Sequence, residues 1–90
     1  MILGAYTLLD SKTGIYHTPW FAPHPYTAMR QVQALTDDKN TFVGKHPADY
    51  ILFKVAQYDD GTGVITPCEH VSFGTCAGIS AQNMAEYPKL

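Results

Sequence analysis

Residues 42–63 read FVGKHPADYILFKVAQYDDGTG, and the second half of this stretch decides the fold class. From Tyr50 to Tyr58, aromatic, aliphatic and polar residues alternate with the two-residue period of a strand. Ile51, Phe53 and Val55 are expected on one face, and Tyr50, Leu52, Lys54, Ala56 and Tyr58 on the other. Asp59-Asp60-Gly61-Thr62-Gly63 then carries the Asp-Gly step that closes hairpins, so Val64–Thr66 returns as a partner strand and Pro67 ends it. Upstream, Pro47 fixes its own φ and biases His46 toward extended backbone. Residues 42–49 therefore read as a connecting loop, with at most a single turn after Pro47.

Working outward, Ile2–Leu9 is a partly buried strand, and Asp10-Ser11-Lys12-Thr13-Gly14 has the composition of a turn. Ile15–Phe21 completes that hairpin, with Pro19 confined to an edge or a strand end because it lacks a ladder donor. Pro25 suits the first position of a helix. Ala28, Met29, Val32 and Leu35 recur at helical spacing after it, with Thr27, Arg30, Gln31, Gln33 and Asp37 on the other side. The helix should fade at Asp38–Asn40, and Val71–Phe73 adds one more short pairing. The order β-β-α-β-β predicts an α+β domain over residues 1–74, a mainly antiparallel sheet with one helix packed on one face. Residues 75–90 are small, polar and weakly periodic, and are expected to form an extended or partly disordered C-terminal tail.

Ninety residues allow one core. Formal charge is −2, and the cations Lys12, Arg30, Lys39, Lys45, Lys54 and Lys89 are scattered, which argues against a basic polypeptide that simply neutralises phosphates. Charged residues make up 16% of the chain, below the usual quarter, while tyrosine occurs six times, so amphipathic rings carry part of the solvent contact. No run approaches the roughly 20 apolar residues of a membrane span. The start lacks a basic, cleavable leader, so a soluble intracellular protein without membrane association is expected. Cys68 and Cys76 are expected as free thiols in a reducing cytosol.

Catalytic and metal chemistry find little support. The histidines at 17, 24, 46 and 70 and the two cysteines lack zinc-ligand spacing, and Cys68-Glu69-His70 has no further ligands nearby in sequence. Asp59 and Asp60 resemble a magnesium-binding carboxylate pair, but the hairpin turn requires such residues there in any case. Neither cysteine belongs to a recognisable nucleophile motif, and Gly61-x-Gly63 does not precede a helix. The expectation is a non-enzyme with no catalytic residues, no metal and no cofactor. Trp20, Phe21 and Phe53 are expected in the core. Tyr16, Tyr50 and Tyr58, whose hydroxyls seek water or a polar partner, are candidates for an exposed stacking surface, and Lys45 and His46 are candidates for touching phosphate.

Taken together, YHTPWFA at Tyr16–Ala22, Ala28-x-Arg30, Phe42, His46-Pro47-x-Asp49-Tyr50-x-Leu52-Phe53, Tyr58-Asp59-Asp60-x-Thr62-Gly63 and Pro67 resemble the small nonstructural protein of gokushoviruses, single-stranded-DNA bacteriophages of the microvirus group. The similarity runs over roughly residues 3 to 75 in matching order and spacing. This chain is richer in proline at Ala22-Pro23-His24-Pro25 and has a longer tail than many members. The resemblance implies a non-capsid phage protein in the host bacterial cytoplasm, with a role in DNA binding during single-strand synthesis and packaging.

The resulting expectation is a non-enzymatic phage nonstructural protein that binds single-stranded DNA through Tyr16, Tyr50 and Tyr58, with Arg30, Lys45 and Lys54 on phosphates. The rival expectation is a protein-interaction module that bridges phage or host replication and packaging components without touching DNA. Under either, a homodimer is expected to cover an open sheet face or edge.

Overall fold

Residues 1–81 are described by the computed structural model, and strand β1 (Ile2–Asp10) lies at the centre of their five-stranded antiparallel sheet. Two short strands, β2 (Ile15–Tyr16) and β3 (Trp20–Ala22), share one side of β1. Strand β4 (Tyr50–Asp59) pairs along its other side, and β5 (Val64–Thr75) forms the outer edge beyond β4. This is the expected α+β architecture.

The two hairpin turns use the same chemistry. Asp10 Oδ1 accepts from the Lys12 amide at 2.9 Å and Gly14 takes φ of 73°. Asp59 Oδ1 accepts from the Gly61 amide at 2.9 Å and Gly63 takes φ of 74°. Only glycine enters that left-handed region without strain, so each Asp-to-Gly segment dictates its own reversal. Asp60, the other half of the suspected carboxylate pair, bonds the amino terminus of Met1 at 2.8 Å.

Single-residue register shifts decide which side chains face which way. The expected strand Ile15–Phe21 is broken at residues 17–19. Its halves pair with β1 in registers that differ by one residue, as Leu9 opposite Tyr16 and Tyr6 opposite Trp20 show. Thr7 Oγ1 donates to the His17 carbonyl at 2.6 Å and the His17 amide to the Leu8 carbonyl at 2.8 Å, which pins the extra residue beside Pro19. In β4, Lys54 lies opposite Tyr6 and Ala56 opposite Ala5, leaving Val55 as a bulge. A one-residue slip exchanges the two faces. Tyr50, Leu52 and Lys54 thus share the face of Tyr6 and Leu8. Ala56 and Tyr58, expected beside them, instead join Ile51 and Phe53 on the opposite face. Pro67 does not end its strand: β5 runs through it, because an edge strand can spare one donor.

Helix α1 (Pro25–Asp37) covers one face of the sheet, starting at the expected proline, with the His24 ring accepting from the Tyr26 amide at 3.2 Å as its cap. Ala28, Met29 and Val32 are buried with Tyr6, Leu8, Ala22, Tyr50 and Leu52, and Leu35 and Trp20 pack against that core. The expected loop at 42–49 contains a short helix α2 (Phe42–Lys45) followed by a 3₁₀ turn (Pro47–Asp49). A further helix, α3 (Cys76–Ser80), stands where an extended tail was expected to begin, and buries Cys76 and Ile79 in the core. The remainder of the expected tail, 82–90, lies outside the described residues.

Two side-chain environments give measurable consequences. A Cβ on Gly44 would collide with the backbone carbonyl of Asp38, which has no freedom to move away. Gly44→Ala is expected to lower stability by roughly 1–3 kcal/mol in urea unfolding, the range for overpacking a tight site. Burial pushes the Cys76 thiol up to about 11 from its ordinary value near 9. Folding therefore favours the protonated thiol, and this contribution is intact below pH 9 and lost as pH rises toward 11. The urea midpoint should fall over that interval, and alkylation of the native protein at pH 8 should label half-buried Cys68 well before Cys76.

A candidate binding face opposite the helices

The sheet face turned away from the helices is formed by the odd-numbered residues of β1 and their partners. Leu3, Ala5, Thr7 and Leu9 lie opposite Tyr58, Ala56, Phe53 and Ile51 of β4, while Phe21 and Tyr16 lie opposite Ala5 and Leu9 on the other side. Directly opposed residues of an antiparallel pair project to the same face, so these side chains form one surface.

Rings dominate it. Phe21 and Tyr58 meet across β1 with centroids 5.1 Å apart. Tyr16 and Phe53 meet across β1 at 5.9 Å, and His70 of β5 completes a three-ring cluster, 5.7 Å from Tyr16 and 6.1 Å from Phe53. The central strands supply small residues beneath them: Ala5, Thr7 and Ala56 are buried. The two ring groups are centred near Gly4 and Leu8 of β1, four residues or about 13 Å apart at the rise of an extended strand. Tyr16 remains 42% and Phe21 43% exposed, so ring surface is still open to solvent.

The paired positions of this face carry no formal charge. None of the residues that pairing places on it is Lys, Arg, Asp or Glu. The charged residues of the central strands, Asp10, Lys54 and Asp59, pair with residues on the helix-side face. Among the described residues, no three His, Cys, Asp or Glu side chains are grouped to hold a metal ion, and no helix is long and apolar enough to cross a membrane.

The six residues singled out from sequence are therefore divided. Tyr16 and Tyr58 lie on the open face, in different ring groups. Tyr50 is buried in the core, with its ring edge-on to His17 at 5.4 Å. Burial, aided by the Asp10 and Asp49 carboxylates, pushes its hydroxyl above the ordinary tyrosine value. Lys54 shares the face of Tyr6, Arg30 is exposed on α1, and Lys45 is exposed in the last turn of α2. Together they do not line one groove. Phe21 and Phe53, expected in the core, stand on the open face instead, and sequence reasoning did not anticipate His70. The alternation of His70 with Cys68 along the strand was visible, but the partners that give it meaning come from β2 and β4.

A family model described as Phage ORF5 protein matches residues 3–78, and the chain belongs to that family. No curated protein and no solved structure matches the chain.

Truncations should separate core from face. Tyr50→Ala should cost about 3 kcal/mol or more, as for other large aromatic residues cut from a core. Tyr16→Ala and Tyr58→Ala remove half-open ring pairs and should cost about 1 kcal/mol or less, leaving a cooperative thermal transition.

Proposed function

We propose that this member of the phage ORF5 protein family is a non-enzymatic nonstructural protein of a gokushovirus-like phage, and that it binds single-stranded DNA through the open face of its sheet during genome replication and packaging in the host cytoplasm. The observation that carries this reading is the set of solvent-accessible rings, Tyr16, Phe53, His70, Phe21 and Tyr58, on a face whose paired positions carry no carboxylate. A flat, ring-bearing sheet is how several folds stack successive bases. Each stacked base contributes on the order of 1–3 kcal/mol, and an unpaired strand is the form of DNA whose bases are free to do so. The phosphates would then lie toward solvent and toward the margins, where Lys12 stands exposed in the β1–β2 turn.

One observation favours the rival. The same face lacks Lys and Arg, and a neutral aromatic patch suits a protein partner, including a second copy of this chain, as well as it suits bases. The β5 edge is the weaker candidate for self-association, because Pro67 and two register shifts interrupt the ladder that another strand would need.

Fluorescence anisotropy with labelled oligothymidylate distinguishes the two readings. Binding should be present at low salt and weaken only slightly on raising salt, because few phosphates are neutralised. Phe21→Ala and Tyr58→Ala should each weaken it several-fold to about a hundredfold. No binding at low salt, together with a concentration-dependent dimer abolished by the same substitutions, would replace the nucleic-acid reading with the protein one.

A further inference from the structure

The break between β2 and β3 opens a cleft of about 240 Å³ at one end of the open face, lined by Thr7, Tyr16, His17, Pro19, Val55 and His70. Both register irregularities of the sheet contribute to it. His17 and Pro19 belong to the edge-strand bulge, and Val55 is the bulged residue of β4. The Thr7 hydroxyl, bonded to the His17 carbonyl at 2.6 Å, holds the wall in place before any ligand arrives. We propose that this cleft is a subsite for a single nucleobase, an inference that rests on the nucleic-acid reading above and gives it a location.

Three features define the ligand class. The cleft is smaller than the roughly 300–1,000 Å³ of sites for drug-sized molecules, which suits one planar ring with its sugar outside. The Tyr16 and His70 rings meet at 77°, forming a corner in which a base stacks on one ring and meets the edge of the other. The Tyr16 hydroxyl and the His70 ring nitrogens make no hydrogen bond among the described residues, so both donors and acceptors are free at the rim. A base edge offers matching donors and acceptors, whereas a hydrocarbon ring or a proline from a protein partner would leave these groups unused. None of the lining residues carries a carboxylate that would repel the attached phosphate.

The test uses the full chain with thymidine 5′-monophosphate and with oligothymidylate, followed by NMR and anisotropy. The mononucleotide should shift the Tyr16 and His70 resonances and leave Phe21 and Tyr58 unmoved. Tyr16→Ala and His70→Ala should weaken oligonucleotide binding roughly tenfold each, and Tyr16→Phe should retain most of it through its ring. Circular dichroism confirms that each variant folds. Oligonucleotide binding that both alanine variants leave unchanged overturns the subsite and spares the wider face reading. An absence of any nucleotide or oligonucleotide binding overturns both, and shifts at Tyr16 and His70 caused by a proline-rich or aromatic peptide but not by the nucleotide overturn the base assignment in favour of a protein ligand.

Discussion

Burial of the Tyr6 ring beneath α1 sets the frame on which the other strands hang. The ring is 1% exposed, sits between Trp20 and Phe73 with centroids 6.4 and 6.2 Å away, and lies so close to Gly4 that a Cβ there would come within 2.7 Å of it. Tyr6 is the largest of the fully buried side chains among the described residues, and a buried ring contributes a large share of the apolar area of so small a core. Once Tyr6 faces the helix, the even residues of β1 must follow it and the odd residues must face away. The register shift in β4 falls beside it, between the Ala5 and Tyr6 pairings, so the phase changes on β4 while β1 runs straight.

That phase change limits what could be read from the sequence. The strands, the first helix with its proline start and its Ala28, Met29, Val32 and Leu35 stripe, and both Asp-to-Gly turns follow from local chemistry, and local chemistry is present in the sequence. A bulge is not local. Val55 becomes the extra residue only because Lys54 and Ala56 are claimed by Tyr6 and Ala5 from a distant strand. Alternation carried through position 55 therefore places Tyr58 on the helix side, and the same ignorance of the partner strand places Phe21 and Phe53 in the core. Tyr50, expected on an exposed stacking surface, lies in the core for a related reason: its ring is buried by His17 and the core, neither of which is near it in the chain.

The two missed helices share a signal that sequence could have supplied. Thr41-Phe42-Val43-Gly44 and Thr75-Cys76-Ala77-Gly78 both begin with a threonine whose hydroxyl oxygen accepts from the amide of a glycine three residues later, at 2.9 and 3.0 Å. Threonine is a favoured N-cap, but helices of four and five residues have no periodicity to announce them. They persist because packing holds them. Lys39 reaches back to the carbonyls of Thr36 and Gly44 at 2.9 and 3.1 Å, tying α1 to α2, and Cys76 and Ile79 are buried in the core beside α1. Lys39 is thereby a structural cation, which leaves fewer positive charges for any phosphate.

The separation of rings from charges constrains what kind of binding this fold can support. Most single-strand binders place cations along the same groove that stacks the bases, so affinity and salt dependence rise together. Here the rings occupy one face, while Arg30 and Lys45 are on the helical layer and Lys54 projects to the side of Tyr6. A ligand on the open face cannot collect those charges without wrapping around the molecule, whose described extents reach 38 Å. In the proposed binding mode stacking would then provide most of the energy, with little preference for sequence and little sensitivity to salt. Two ring groups about 13 Å apart on one sheet would engage separate bases of the same strand, so the second contact would be made at the high effective concentration set by the first. Modest stacking at each group can in this way yield useful retention without a basic groove.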